Sequence, residues 1–168
     1  DLCERAGVTS IWFVGSVQAC APHSREPRVM STMSDASLRD VLTPLGVTFA
    51  NYQGPCSVMT FLMSLAQTRG LRVASLIAEA PLYIQGPNPK SAEAVLRKLS
   101  AAMQLNLDLS ALREVADEWE RRVNEHVEAS EKMTKYVAKL EEEYDAQVFD
   151  SEMGELKDWL TEKGIRLD

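Results

Sequence analysis

The amino-acid sequence predicts a layered α/β fold that ends in a helical extension. Continuous apolar runs of β-forming residues, such as residues 11–14, are typical of strands covered on both faces. Segments with apolar residues at helical spacing separate these runs, which is the pattern of an α/β core. From Asp108 to Tyr144 the sequence has neither glycine nor proline and favours helix. We therefore assign residues 1–107 to an α/β domain and residues 108–168 to the helical extension.

Composition narrows the classes of partner. The formal net charge is −7 and the isoelectric point is near 4.9. These values argue against nucleic acids and anionic membranes as binding partners, because phosphate groups are bound by lysine and arginine. The cysteines, Cys3, Cys20 and Cys56, are far apart, as expected of reduced thiols. The sequence shows no signal peptide, no apolar span and no metal-ligand spacing. We expect a cytoplasmic protein without metal or cofactor.

The first elements are a helix end and a strand. Residues 1–7 resemble the last turns of a helix closed by Gly7, and residues 9–17 read as a buried strand. Because a domain rarely begins on a helix end, we expect further strands and helices before it. Residues 21–33 contain two prolines and are predicted to form a loop. A short helix over residues 37–45 follows, capped by Ser34 or Asp35 and ended by Gly46.

A strand, a helix and a second strand come next. Residues 47–50 form the predicted strand, the helix runs over residues 58–70, and the second strand covers residues 71–79. This β-α-β order predicts a parallel pair with a crossover helix. The apolar residues of the helix recur at helical spacing; they are Val58, Phe61, Leu62 and Leu65. Asn88 and Pro89 then provide a cap and a first helical residue for a further helix.

The C-terminal extension reads as acidic and amphipathic. Its apolar stripe runs from Leu112 to Tyr144, and a continuous helix from Leu109 would be about 55 Å long at 1.5 Å per residue. His126 and Ser130 interrupt that stripe, so a break into a hairpin near residues 128–131 is the alternative. A last short helix over residues 153–163 is predicted from apolar spacing, ending at Gly164; its apolar residues include Leu156, Trp159 and Leu160.

Polar residues follow the predicted strands where open α/β sheets commonly bind ligands. His23 and Arg25 come after the first strand and would hold a carboxylate or phosphate. Glu79 and Tyr83 come at the end of a later strand and would line the same crevice. The other interpretation, which we favour for His23 and Arg25, is that they brace the loop. For Glu79 the alternative is a bond to loop amides.

A further candidate is the turn at residues 54–57 before a predicted helix. Backbone N–H groups at a helix start can bind an anion or an acyl oxygen, so Gly54 and Pro55 join the candidate ligand-binding set. Cys56 would be a nucleophile there, but no base is near it in sequence and we favour a turn or binding loop. His126 has no histidine or cysteine at ligand spacing and is expected to be a surface or seam residue. No catalytic residue is assigned.

Several motifs resemble those of a known protein family in their order and spacing. They are residues 22–25 (Pro-His-Ser-Arg), residues 52–55 (Tyr-Gln-Gly-Pro) and residues 75–84 (Ser-Leu-Ile-Ala-Glu-Ala-Pro-Leu-Tyr-Ile). The chain resembles the prokaryotic proteins of the proteasome assembly chaperone two family over most of its length. The resemblance implies an α/β/α sandwich similar to nucleoside phosphorylases and related hydrolases, with its N-terminal part absent here. It also implies self-association.

Departures from the family pattern bear on chemistry. Ser24 stands in place of threonine, Cys56 in place of threonine or serine, and Leu82 in place of histidine, which argues against an essential catalytic hydroxyl or imidazole at these positions. Some archaeal relatives dock on the proteasome through a C-terminal hydrophobic-tyrosine-any tail. Residues 165–168 (Ile-Arg-Leu-Asp) do not have that pattern, so we do not expect that docking mode.

Two functions remain open from the sequence. The favoured hypothesis is a non-enzymatic, assembly-chaperone-like interaction protein that is a homo-oligomer and uses its C-terminal helices for contacts with a protein partner. The alternative is a small-molecule or nucleotide-binding protein, or a hydrolase, with a crevice at the strand ends. Its residues would be His23, Arg25, Gly54, Pro55, Glu79 and Tyr83.

Overall fold

The computed structural model describes residues 2–49 and 58–163. The helices are α1 Leu2–Arg5, α2 Ser37–Leu42, α3 Val58–Gln67, α4 Pro89–Ala102, α5 Ser110–Glu128 and α6 Glu131–Glu162, with a 3-10 turn at Thr43–Leu45. The strands are β1 Ser10–Ala19, β2 Val29–Ser31, β3 Val47–Phe49 and β4 Arg72–Pro81. The predicted α/β fold with C-terminal helices is confirmed.

The sheet has the strand order β1-β4-β2-β3. β1 and β4 are parallel over ten residue pairs, from Ser10 opposite Arg72 to Ala19 opposite Pro81, whereas β2 runs antiparallel to β4 and parallel to β3. The predicted parallel pairing of β3 with β4 is therefore wrong. The reason is β2, a short strand inside the segment predicted to be a loop, which lies between them and leaves β1 as the parallel neighbour of β4.

Helices cover both faces of the sheet, as an α/β/α sandwich requires. On one face Leu76 and Ala78 of β4 pack with Leu42 of α2 and Val95 of α4. On the other face Val73 of β4 packs with α3. Alternate residues of β4 point to opposite faces, so its nearly continuous burial results from a helix layer on each side.

Helix α3 packs on the sheet with one apolar side and exposes another. Met63 and Ala66 are the buried residues that pack on β4. The four residues whose spacing predicted the helix are exposed, with Phe61 61% exposed; they are Val58, Phe61, Leu62 and Leu65. Because α3 is apolar on more than one side, helical spacing alone does not select the side that packs.

Helix ends follow the sequence closely. The Asn88 side chain accepts a hydrogen bond from the Ser91 amide at 2.9 Å, and Pro89 is the first residue of α4, as predicted. Gly46 ends the 3-10 turn with φ of 64°, a left-handed conformation that suits glycine. Asp35 accepts a hydrogen bond from the Ser37 amide at 2.9 Å, although the residue at the cap position is Ala36.

The extension is a helical hairpin. Helix α5 ends at Glu128 and α6 begins at Glu131, with the Ser130 side chain accepting a hydrogen bond from the Met133 amide at 3.5 Å. The predicted break near residues 128–131 is confirmed and the continuous rod is wrong. The separate helix over residues 153–163 is also wrong, because α6 is one helix of 32 residues, about 48 Å long.

Gly154 does not interrupt α6. Gly154 lies inside α6 and has no heavy atom within 4 Å of where a Cβ would sit. A glycine in a helix costs about 1 kcal/mol relative to alanine, which is too little to end a long helix flanked by good helix formers. None of the described helices has the length and apolarity needed to cross a membrane.

Candidate functional site

A buried histidine fixes the loop after β1. His23 is only 2% exposed. Its amide donates a hydrogen bond to the Tyr83 hydroxyl at 2.9 Å, and its ring nitrogens lie 2.6 Å from that hydroxyl (Nδ1) and 2.9 Å from Oδ1 of Asn124 (Nε2). Because a carbonyl oxygen only accepts, Nε2 donates to Asn124; in the tautomer with its proton on Nε2, Nδ1 accepts from the Tyr83 hydroxyl. The imidazole is thus fully satisfied by the protein itself.

Tyr83 is held in its neutral form. Burial raises the pKa of the Tyr83 phenol to about 12, although the hydrogen bond from the His23 amide opposes that effect. Its ring makes an edge-to-face contact with Tyr136 of α6, with the ring centres 5.8 Å apart. Tyr83 therefore links the end of β4, the loop after β1 and α6, and it keeps its proton at neutral pH.

Arg25 binds helix α6 through a bidentate interaction. Its Nε and Nη2 donate to the two carboxylate oxygens of Asp145 at 2.9 and 2.8 Å, and Nη1 lies 3.4 Å from Glu141. The hydrogen bond from Arg25 lowers the pKa of the Asp145 carboxyl. The neighbouring Ser24 hydroxyl also donates to Glu141. The guanidinium is thereby neutralised by its own chain, so it is not a free anchor for a ligand carboxylate.

Glu79 belongs to a second ionic contact. Its carboxylate accepts a hydrogen bond from Nε of Arg28 at 2.9 Å, and Glu79 is 9% exposed. The Arg28 guanidinium also lies 4.2 Å from the ring centre of Tyr144 and donates to Gln147 at 3.1 Å. The Tyr144 hydroxyl accepts from the Arg28 amide at 3.1 Å and donates to the Glu26 carbonyl at 2.9 Å. These bonds hold α6 to the loop at a second point.

Lys90 completes the attachment of the loop. Its ammonium group donates to the His23 carbonyl at 2.8 Å and to Glu120 of α5 at 2.5 Å. Lys90, Asn124, Glu141 and Asp145 were not among the residues predicted from the sequence. The bonds of these residues to the loop span 67 to 120 positions, and no local spacing rule covers such separations. For Glu141 and Asp145 the one sequence signal was the excess of charged residues on α6.

The candidate set is brought together only in part. His23 and Tyr83 are in direct contact, whereas Arg25 and Glu79 belong to neighbouring clusters that each bind α6. Gly54 and Pro55, with Cys56, lie outside the described residues. The ligand-binding role of this set stays a prediction. The geometry of its four described members supports the loop-bracing interpretation.

An open cavity lies beside this network. It has a volume of about 360 Å³ and is formed by residues 83–85 after β4 together with α5 and α6. Its walls include Trp119, Val127 and Met133, and His126, which was expected at the surface, is exposed at the cavity. Within the described part of the chain, no group of three or more histidine, cysteine or acidic side chains is placed to hold a metal ion.

The sequence and the fold match known proteins. The profile of the PAC2 family matches residues 1–127, whereas no curated protein matches significantly. A Mycobacterium tuberculosis protein of unknown function has a TM-score of 0.81 and 28% identity, with 92% of this chain and 52% of that chain covered. A PAC2 family protein from Streptomyces avermitilis has a TM-score of 0.69 and 26% identity, with 81% and 56% covered.

A third solved structure shows a similar fold. It is a proteasome-assembly chaperone homologue from Mycobacterium tuberculosis, with a TM-score of 0.68 and 24% identity, and the match covers 81% of this chain and 57% of that chain. The present chain thus spans a little more than half the length of each of these three proteins.

Proposed function

This chain belongs to the PAC2 family, and from that premise we propose that it is a non-enzymatic, assembly-chaperone-like protein that acts by contacting other protein surfaces. The similarity in fold to a proteasome-assembly chaperone homologue supports this function. The described candidate residues also support it, because their polar groups bind one another and brace a loop. A proton-transfer site needs groups that can instead reach a substrate.

The observation that carries the proposal is the second half of α6. The last bond from this helix to the loop is that of Gln147 with Arg28. Helix α6 then continues to Glu162, over about 22 Å. Three large apolar residues on this segment are exposed to 62%, 46% and 51%; they are Phe149, Leu156 and Trp159. Exposed apolar patches on a helix mark surfaces that bind a partner protein.

The α/β body supports self-assembly. Among the described strands, β1 lies at an edge of the sheet; it has ten residues and contains no charged residue and no proline. Natural proteins protect such edges with charges, proline or bulges, because the unpaired backbone groups otherwise pair with another strand. Val14 and Val17, which point to opposite faces of the sheet, are exposed along this edge, as is the apolar side of α3 that includes Phe61. We assign this surface to contact with a second copy of the protein.

Light scattering of the full-length protein tests self-assembly. We expect a mass above that of one chain that depends on concentration, and we expect Val14→Lys to reduce it because a charge at the edge opposes strand pairing. The matched control is Val115→Lys, since Val115 is similarly exposed but lies on α5. If the protein were monomeric at every concentration, the proposed self-assembly would be refuted.

Site-specific photo-crosslinking in cells tests the partner contact. A photoreactive residue at position 156 or 159 should give a defined crosslinked protein, whereas the same residue at position 115 should not. The partner identified in this way should then bind the purified protein, and Leu156→Ser should weaken that binding. If positions 115 and 156 gave the same products, or the purified proteins did not bind, the chaperone-like function would be rejected.

A further inference from the structure

The cavity beside Tyr83 has predominantly apolar walls. Helix α5 contributes Trp119, Val123 and Val127, helix α6 contributes Met133, and the segment after β4 contributes Ile84. Its volume of about 360 Å³ falls in the range of about 300 to 1,000 Å³ that is typical of small-molecule sites. Such a space suits a compact apolar body, for example one or two aromatic rings.

Among the described residues, the lining of the cavity includes basic side chains and no acidic one. The sequence contains 25 aspartates and glutamates, yet none of them lines the cavity, whereas Arg122 and His126 do. Arg122 and His126 are four positions apart on α5 and so lie on the same side of that helix. The chain as a whole has a net charge of −7, so the basic lining residues of the cavity differ in sign from that net charge.

Both basic residues keep groups free for a ligand. Nε of Arg122 donates to Glu118 at 2.7 Å, and its two terminal nitrogens have no hydrogen bond to any described residue. Nδ1 of His126 lies 2.7 Å from the carbonyl oxygen of Arg122, which can only accept, so Nδ1 is the donor. With the ring proton on Nδ1, Nε2 of His126 is an acceptor without a partner among residues 2–49 and 58–163, and it would accept a hydrogen bond from a ligand donor rather than hold a carboxylate.

We propose that this cavity binds a small apolar carboxylate, with an aromatic or medium-chain body against Trp119 and Met133 and its carboxylate at Arg122. A guanidinium holds a carboxylate through two parallel hydrogen bonds, which gives the cavity a preference for an anion over a neutral analogue of the same shape. Among the described candidate residues, this site shares only Tyr83 with the predicted crevice, since His23, Arg25 and Glu79 do not line it. It is independent of the protein-contact function.

Calorimetric titration with naphthoate and decanoate, each compared with its neutral analogue naphthamide or decanol, tests the proposal. Both carboxylates should bind more tightly than the neutral compounds. Arg122→Gln should weaken carboxylate binding by about tenfold or more, as expected for the loss of a charged hydrogen bond. The matched control is Arg121→Gln, because Arg121 also pairs with Glu118 but does not line the cavity.

A variant that fills the cavity distinguishes binding in the cavity from binding to other apolar surfaces. Val123→Trp should abolish binding while circular dichroism shows an unchanged fold, whereas Phe61→Ser on the exposed side of α3 should leave binding unchanged. Failure of both carboxylates to bind would overturn the proposal. Equal binding of carboxylates and neutral analogues, or equal effects of the Arg121 and Arg122 variants, would also overturn it.

Discussion

The hydroxyl of Tyr83 lies 2.6 Å from Nδ1 of His23, across 60 positions of sequence. The same hydroxyl accepts the His23 amide at 2.9 Å, so one phenol satisfies two polar groups of a buried residue. Tyr83 also meets Tyr136 of α6 edge to face. This pair joins the end of β4 to the loop after β1, and the hairpin of α5 and α6 packs on both.

Replacing Tyr83 by phenylalanine should destabilise the protein. Tyr83→Phe keeps the ring but leaves the amide and Nδ1 of His23 without their partner, which costs about 1 to 3 kcal/mol for buried polar groups. The measurement is the free energy of unfolding from urea denaturation. Tyr136→Phe is the control, because Tyr136 is 39% exposed and its hydroxyl has no hydrogen bond to the described residues. Equal losses in the two variants would contradict this account.

Tyr83 should also make the protein sensitive to alkali. Its pKa is raised from about 10 to about 12 in the folded state, chiefly by burial. A raised folded pKa means that the associated stability is complete below the unfolded value, near pH 10, and is lost as the pH rises through about 12. Ultraviolet titration of the native protein should show a phenol that ionises near pH 12. That transition should disappear in Tyr83→Phe and in urea; its persistence in the variant would assign it to another tyrosine.

The Glu79 contact should contribute more than an exposed ion pair. Glu79→Ala leaves the Arg28 guanidinium without its carboxylate beside a mostly buried strand end, and we expect a loss of about 1 to 3 kcal/mol. The comparison is Lys135→Ala, which removes an exposed pair with Glu131 and should cost less than about 0.5 kcal/mol. Thermal and urea unfolding measure both. A loss in Lys135→Ala as large as that in Glu79→Ala would show that burial is not the deciding factor.

The cap of α4 should be required for the stability of that helix. Asn88→Ala removes the acceptor for the Ser91 amide, and loss of such a cap costs about 1 kcal/mol. Asn88→Asp keeps an acceptor oxygen at the same position and should retain most of the stability. Urea denaturation compares the variants. If aspartate were as damaging as alanine, the Asn88 side chain would have a role other than capping.

Features that depend on a few neighbouring residues were predictable from the sequence. The cap at Asn88, the stop at Gly46 and the break around Ser130 each follow from the chemistry of one or two residues, and the structure has all three. The α/β class was predictable too, because buried strands and amphipathic helices differ in apolar period. Errors arose where distant contacts or the continuation of an element decide the outcome, as with β2 between β3 and β4 and with α6 through residues 153–162.

The sequence by itself determined the fold class, the helix ends at Asn88, Gly46 and Ser130 and the acidic character of the C-terminal helices, because propensity, capping and apolar period act over a few residues. Only the tertiary structure decided what the polar candidates do. His23, Arg25 and Glu79 bind Tyr83, Asp145 and Arg28, and these bonds depend on how the loop, the end of β4 and α6 meet in space. The same holds for the cavity at Arg122 and His126, which exists because α5 and α6 fold back beside the end of β4.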